Sequence, residues 1–282
     1  LPINYSVVTN IDNEHLDFYK NYKNLQNAFL KFINKTPPIG KAIICLDDHC
    51  IKKNLKKLKT KNYLTYGFDN KSNYQITNVK YRINNTTFSL QIKIHGSKNI
   101  TVKNITLNLI GNYNVLNATA AIAVCINLGI NIKVIKEALK NFSGVQRRLT
   151  KIFNKNKKEF YDDYAHHPTE ISAVLHGLRQ VYKKRKIIVI FQPHRYSRIK
   201  SLKKEFAKSF LLSDAVILCP IYGAGEKKDK NYNQINFSKL IASSSKTQVI
   251  NINNEIDLKK YLQKNLISDE IVIGMGAGSI SK

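Results

Sequence analysis

The stretch from Asp162 to Arg198 confines the fold more tightly than any other in the chain. It reads Asp-Asp-Tyr-Ala-His-His-Pro-Thr-Glu, then a helix-like segment, then a strand-like Lys-Ile-Ile-Val-Ile that ends in Phe-Gln-Pro-His-Arg-Tyr-Ser-Arg. In an α/β domain the carboxyl ends of parallel strands form the rim where ligands bind, so polar clusters placed directly after apolar strands mark candidate chemistry. The first cluster offers Asp162, Asp163, Tyr164, His166 and His167 ahead of Pro168, which suits the first turn of a helix. A helix start with outward N–H groups is a natural anion site. The second cluster supplies His194, Arg195 and Arg198, and guanidinium groups bind carboxylate or phosphate through a planar fork. Together the two clusters predict a pocket for an anionic substrate.

Each residue also has a plainer reading. A His beside a helix start is ordinarily a structural hydrogen-bonding group, adjacent His side chains diverge on most backbones, and Arg195 with Arg198 fits a solvated helix face. The conjunction favours function, because both clusters follow strands and share one chemical purpose.

A chain of 282 residues has room for two ordinary cores, and it carries 46 Lys and Arg against 19 acidic residues, a net charge of +27. Such a balance raises a nucleic-acid reading. Against it, the excess is mostly lysine spread from end to end among abundant Asn and Ile, as A/T-rich codons produce, and no basic run is interleaved with stacking aromatics. No specific nucleic acid is therefore expected as a partner. Cys45, Cys50, Cys125 and Cys219 lack Cys-x-x-Cys or zinc spacing and lie in or near apolar runs, which predicts buried reduced thiols. No apolar stretch reaches membrane-spanning length and no charged-then-apolar leader opens the chain, so a soluble, cytoplasmic protein without membrane insertion is expected. The chain begins with Leu1 and its one methionine is Met275, from which a missing N-terminal half is expected.

In chain order, Tyr5 to Ile11 reads as a buried strand followed by Asp12-Asn13-Glu14-His15. His15 with its acidic neighbours fits a divalent cation or a solvent-facing turn, the spacing matching no self-contained metal motif. A helix spans Asn24 to Asn34, strands cover Lys41–Leu46 and Tyr63–Phe68, and Asp47-Asp48 closes the first of these strands ahead of a lysine-rich helix. Period-two alternation from Tyr74, a turn at Asn84-Asn85 and alternation from Thr86 to Ile94 predict an antiparallel hairpin appended to a parallel sheet, with a further strand from Ile100 to Leu109. Gly111 opens an Ala-rich helix through Asn127 that places Asn114 and Asn117 one turn apart on one face, suited to a purine edge or a ribose; helix capping explains one asparagine easily but two less well. A short helix from Asn131 to Phe142 leads to a junction at Ser143–Arg148. Beyond it, strands at Glu159–Tyr161, Lys186–Gln192, Ala215–Pro220, Thr247–Ile252 and Glu270–Gly274 alternate with amphipathic helices, the pattern of a doubly wound parallel α/β domain. Gly223, Gly225, Gly276 and Gly278 mark Gly-rich strand exits that match no full phosphate or dinucleotide fingerprint.

Taken in order, Gly111-x-x-Asn-x-x-Asn117, Gly144-Val-Gln-Arg-Arg148, Asp162-Asp-Tyr-Ala-His-His-Pro-Thr-Glu170, Phe191-Gln-Pro-His-Arg-Tyr-Ser-Arg198 and Gly276-Ala-Gly278 resemble the Mur ligase family over essentially the whole chain. The resemblance implies a partial central mixed-sheet ATPase-type domain at 1–142 and a doubly wound, Rossmann-like C-terminal domain at 143–282. It implies ATP-dependent joining of an amino acid to a carboxylate through an acyl phosphate, in peptidoglycan synthesis. The Phe191–Arg198 run implies L-alanine and UDP-N-acetylmuramate as the partners, with ATP and magnesium as cofactors. By the same resemblance His15 is a metal ligand, Asn114 and Asn117 contact the adenosine, Arg148 the phosphates and Asp163 the ribose. Tyr164, His166, Arg195 and Arg198 surround the amino acid and the muramoyl end, and Arg148 and His166 are the catalytic candidates. Three departures stand beside this. No Gly-Lys-[Ser/Thr] phosphate loop occurs in the 282 residues, a second acidic metal ligand lies ahead of this region in the family, and Tyr113 stands where the family commonly has His. The isolated chain is therefore expected to be inactive. The competing classes are a lysine-rich nucleic-acid binder and a two-histidine metal hydrolase at His166 and His167.

Overall fold

The computed structural model describes residues 3–93, 96, 98–267 and 269–280. They fall into two units that divide between Ser143 and Gly144.

The first unit runs β1 (Tyr5–Val8), α1 (Leu16–Tyr19), α2 (Tyr22–Asn34), β2 (Lys41–Cys45), α3 (His49–Asn54) with a 3-10 turn at Leu55–Lys57, β3 (Tyr63–Gly67), β4 (Tyr74–Tyr81), β5 (Thr86–Ile92), β6 (Ile100–Leu107), α4 (Asn112–Asn127) and α5 (Ile132–Asn141). Among the described residues the sheet order is β1-β2-β3-β4-β5-β6. β1 to β4 are mutually parallel and β5 is antiparallel to both its neighbours, which is the hairpin graft expected from the change of period at Tyr74. The expected end of that hairpin at Ile94 lies outside the described residues. Ile43, Ile44, Tyr66, Leu90 and Ile105 form the sheet side of one core, closed by Val115, Ile122 and Ala123 of α4.

Two differences from the sequence boundaries have local causes. β1 stops at Val8 because Ile11 leaves the strand: its N–H goes to Asp48 Oδ2 at 3.3 Å and its carbonyl accepts from the Tyr22 hydroxyl at 3.0 Å. α2 starts at Tyr22 because Asn21 caps it, accepting from the Asn24 N–H at 2.9 Å. The Asp47-Asp48 pair at the end of β2 braces the strand exits on either side. Asp48 also caps α3 through Ile51 N at 2.7 Å, while Asp47 accepts from Phe68 N at 2.7 Å and Asp69 N at 2.9 Å beyond β3.

The second unit runs β7 (Thr150–Lys155), β8 (Lys158–Asp163), α6 (Pro168–Val181), β9 (Ile187–Phe191), α7 (Tyr196–Ser201), α8 (Lys203–Lys208), β10 (Ala215–Leu218), α9 (Gln234–Ser245), β11 (Gln248–Asn251), α10 (Glu255–Asn265) and β12 (Ile271–Met275). Its sheet, ordered β11-β10-β9-β12-β8-β7 among the described residues, is parallel from β8 to β12. Ile188, Ile190, Ile217 and Val272 pack against Leu258, Tyr261 and Leu262 of α10, whereas the next residue round, Phe191, meets Phe206 and Phe210. Helices therefore cover both faces, as the alternation of elements predicts.

β7 is the element that the pattern did not announce. It pairs antiparallel with β8 across a tight turn in which Asn156 (φ 51°) and Lys157 (φ 64°) are both left-handed, the hairpin geometry that matches strand twist. Its apolar residues Ile152 and Phe153 remain exposed, and Phe153 stacks on Phe160 at 4.2 Å, so no buried face is written into the stretch.

At the amino end of β8, Glu159 is 5% exposed and is held by Lys151 at 2.6 Å, by Arg185, and by the hydroxyls of Tyr182 at 2.9 Å and Tyr161 at 3.0 Å. Burial pushes its carboxyl up, but the two cations and two hydroxyls outweigh this and hold it at about 2. A depressed carboxyl contributes stability above its ordinary value near 4.5 that is lost as pH falls toward 2. Glu159→Gln leaves two cations beside a buried amide and should cost about 3 kcal/mol at pH 7. In urea denaturation the gap between wild type and variant should narrow as pH drops below 4.5; a pH-independent gap would refute the ionic account.

Candidate active site

Register brings three strand exits of the second unit side by side, since Asp163, Met275 and Phe191 are paired across β8, β12 and β9. Asp163 is 2% exposed, and its carboxylate accepts from Leu149 N and Ala165 N, both at 2.7 Å. Burial raises its carboxyl to about 6 against the pull of those amides and of Arg148. Its neighbour Asp162 lies 3.3 Å from Arg147 Nε, and Arg147 Nη2 donates to the Gly276 carbonyl at 2.6 Å. The Tyr164 ring carries Arg147 at 4.7 Å and Arg148 at 5.8 Å, and Arg148, half exposed, also faces Glu170 at 3.6 Å.

The start of α6 differs from the anion site expected there. Glu170 Oε2 accepts from His166 N at 3.0 Å and His167 N at 3.2 Å, so the chain's own carboxylate lies against the amides that lead into this helix. His167 is buried, whereas His166 stays partly exposed, with Nδ1 2.8 Å from the Tyr164 carbonyl. Among the described residues no group of three or more His, Cys, Asp or Glu is gathered to hold a metal. The two-histidine hydrolase reading is left without a site.

Beyond β9, His194 bridges to Tyr222, and the Arg195 N–H donates to the Tyr222 carbonyl at 2.9 Å. Arg195 adopts φ 68°, a left-handed conformation uncommon for a residue with a side chain, and leaves its guanidinium exposed at the start of α7. Burial, then the charges of Arg198, His166 and Arg195, lower the His194 imidazole to about 4. It is neutral at pH 7, and with Arg198 Nη1 donating to Nδ1 at 3.1 Å its proton sits on Nε2. The rings of Tyr164, His166, His194 and Tyr222 follow one another at 5.2, 5.6 and 5.6 Å.

In the first unit, α4 is capped by Gly111 (φ 94°) without a side-chain cap, so neither asparagine is explained as its cap. Asn114 Nδ2 donates to the Ile110 carbonyl at 2.8 Å, and Asn117 lies exposed one turn further on. His15 is exposed at the left-handed start (φ 57°) of the four-residue α1.

Residues 1–125 match the family model of the Mur ligase middle domain, and residues 147–278 that of the Mur ligase glutamate ligase domain. The chain belongs to the Mur ligase family. It is 51% identical over 281 residues to the UDP-N-acetylmuramate–L-alanine ligase of Pelagibacter ubique (strain HTCC1062), covering 100% of this chain and 61% of that protein. To the ligase of the same name from Brachyspira hyodysenteriae it is 40% identical over 275 residues, covering 98% of this chain and 58% of the relative. The crystal structure of UDP-N-acetylmuramate-alanine ligase from Thermotoga maritima superposes with a TM-score of 0.72 at 26% identity, over 99% of this chain and 57% of that one. A MurF ligase from the same organism, solved in complex with ADP, shares the fold with a TM-score of 0.72 at 16% identity, over 99% of this chain and 60% of that one. The chain thus spans about three fifths of the length of the curated relatives it matches.

Within this Mur ligase fold, Tyr164, His166, Arg195, Arg198 and Arg148 all lie on the strand exits of the second unit, while Asn114, Asn117 and His15 belong to the first. Asp163, expected at a ribose, faces backbone amides of its own chain, because a carboxylate this deeply buried requires donors within reach. Sequence reasoning passed over Arg147, Glu170 and Tyr222. Two of these stand inside the quoted motifs, but a motif does not say which of two adjacent arginines turns inward.

The shifts of His194 and Asp163 act on stability with opposite signs. A lowered His contributes stability that is present above its ordinary 6.5 and lost as pH falls toward 4. A raised Asp costs stability above 6, and the cost disappears as pH falls toward 3.8. In urea titrations, His194→Asn should lose less stability than wild type between pH 6.5 and 4.5, and Asp163→Asn should fall further behind wild type between pH 6 and 4. Parallel curves for either variant would remove that assignment.

Proposed function

We propose that this chain carries the adenosine-facing and amino-acid-facing parts of an ATP-dependent ligase that joins L-alanine to UDP-N-acetylmuramate through an acyl phosphate, in cytoplasmic peptidoglycan synthesis. The observation that carries the proposal is the pairing of Arg198 with a neutral His194 beside the exposed Arg195, on the rim that also presents Tyr164 and His166. Two guanidiniums three residues apart suit the carboxylates of the two substrates, and the uncharged imidazole beside Arg198 adds no competing charge. The relatives named for this reaction, one of them 51% identical, support the same reading.

Arg148, half exposed above Tyr164, is placed by the proposal on the phosphates, where a fixed cation stabilises charge developing during transfer. Asn114 and Asn117 would meet the adenosine, with Asp163 organising the loop beside the ribose. ATP, when bound, supplies the phosphoryl group that activates the muramoyl carboxylate. His166, partly exposed with Nδ1 on the Tyr164 carbonyl, presents its other nitrogen toward the reacting amine. Magnesium would meet a single imidazole in His15 and no assembled carboxylate set among the described residues, so these residues do not form a cation site by themselves. No helix among the described residues is long and apolar enough to cross a membrane.

Two measurements test the proposal. The 282-residue chain contains no Gly-Lys-[Ser/Thr] phosphate loop, so alone it should release no ADP in the presence of ATP, magnesium, L-alanine and UDP-N-acetylmuramate. Fused behind the N-terminal segment of the Pelagibacter relative, it should release ADP only when both substrates are present. Turnover by the chain alone, or none by the fusion, would overturn the reading. In the fusion, Arg195→Lys and Arg198→Lys should each raise the KM for L-alanine or UDP-N-acetylmuramate at least about tenfold, since a charged hydrogen bond contributes about 1.5–3 kcal/mol and lysine lacks the fork. Unchanged kinetics in both would return them to a solvated face.

A further inference from the structure

We infer that Arg147 is a positioning residue for the amino-acid end of this site, holding Tyr164 and the Gly276 turn together. The inference rests on the reading above, in which Tyr164 faces the acceptor amino acid.

Four interactions converge on this one residue. Its backbone is left-handed (φ 57°), which aims its carbonyl at Tyr164 N, 2.7 Å away. Its Nη2 donates to the Gly276 carbonyl at 2.6 Å, its Nε lies 3.3 Å from Asp162 Oδ2, and its guanidinium covers the Tyr164 ring at 4.7 Å. A left-handed conformation is uncommon for a residue with a side chain, and here the exits of β8 and β12 support it. Gly276 itself has no room for a side chain, because a Cβ there would lie 2.9 Å from the Gln192 carbonyl. Arg147 therefore ties together two strand exits, one of which also abuts the third.

The adjacent arginine behaves differently. Arg148 is 52% exposed at its side chain against 29% for Arg147, and its nearest carboxylate partner, Glu170, is 3.6 Å away. One arginine turns inward to hold the frame and the next turns outward to a ligand. Moving Tyr164 would be felt beyond it, since its ring is followed by His166, His194 and Tyr222 in edge and stacking contact. Lysine cannot replace Arg147, because one ammonium cannot donate to Gly276, pair with Asp162 and lie flat on a ring at once.

Amide hydrogen exchange in the 282-residue chain, with KM and kcat in the fusion, separates this role from a general structural one. Arg147→Met should speed exchange at Tyr164 and Gly276 about tenfold or more while leaving β9 and β10 unchanged, the loss expected for a charged hydrogen bond. In the fusion the KM for L-alanine should rise about tenfold with kcat and the KM for ATP little changed, whereas Arg148→Met should lower kcat. Arg147→Lys should fall between wild type and Arg147→Met, and it decides the matter if the methionine variant does not fold. Unchanged exchange would overturn the inference, as would faster exchange with an unchanged KM for L-alanine, which would reduce Arg147 to a brace. If the unsubstituted fusion is inactive, the functional reading fails by itself, and exchange at Tyr164 and Gly276 still decides whether Arg147 positions them.

Discussion

The second unit depends on a carboxylate kept away from water. Asp163, 2% exposed, is tolerable there only because Leu149 N and Ala165 N replace its hydration. Those two amides come from opposite sides, one from the segment entering β7 and one from the loop leaving β8. The residues that shape the site flank them closely: Arg147 and Arg148 precede Leu149, while Tyr164 and His166 enclose Ala165. A single buried charge thus sets where four functional side chains begin, and Arg147 adds the exit of β12 through Gly276.

The same device recurs in the first unit. Asp47 and Asp48 accept from Phe68 N and Asp69 N beyond β3 and from Ile51 N of α3, and a further bond to Ile11 N holds that residue out of β1. In a chain with 46 basic and 19 acidic residues, acids like these serve as internal acceptors for backbone N–H groups, and the buried Glu159 accepts from Lys151, Arg185 and two phenols. The surplus lysines are spread over surfaces where a charge changes solubility and encounter more than fold.

What was legible in the sequence followed from period and punctuation. Apolar β-branched runs such as Ile187–Phe191 and Ile271–Met275 became central parallel strands, and the change to period two at Tyr74 became an antiparallel graft. Asn131 and Gly129 marked helix ends for ordinary stereochemical reasons, the asparagine by accepting from a first-turn amide and the glycine by taking φ 78°, whereas the cap at Asn21 was passed over. β7 was missed because its Ile152 and Phe153 face solvent, so a strand made by hairpin proximity left no apolar pattern to read. At the helix start before Pro168, the sequence did not show that Glu170 turns back to the amides of His166 and His167.

The sequence by itself determined which side chains stand at strand exits, since strand, turn and helix starts depend on neighbours a few residues away. It therefore announced Asp162 to Glu170 and Phe191 to Arg198 as chemistry, and through shared motifs their family. Only the tertiary structure decided which of these groups face a ligand. Insertion of β12 between β8 and β9 put the Gly276 carbonyl within reach of Arg147, which turns inward while Arg148 stays outward; in the same fold His167 is buried, His166 partly exposed and Asp163 closed against backbone. Those choices rest on contacts between residues as far apart as Arg147 and Gly276, where burial fixes both the partner and the protonation state, and no local pattern encodes either.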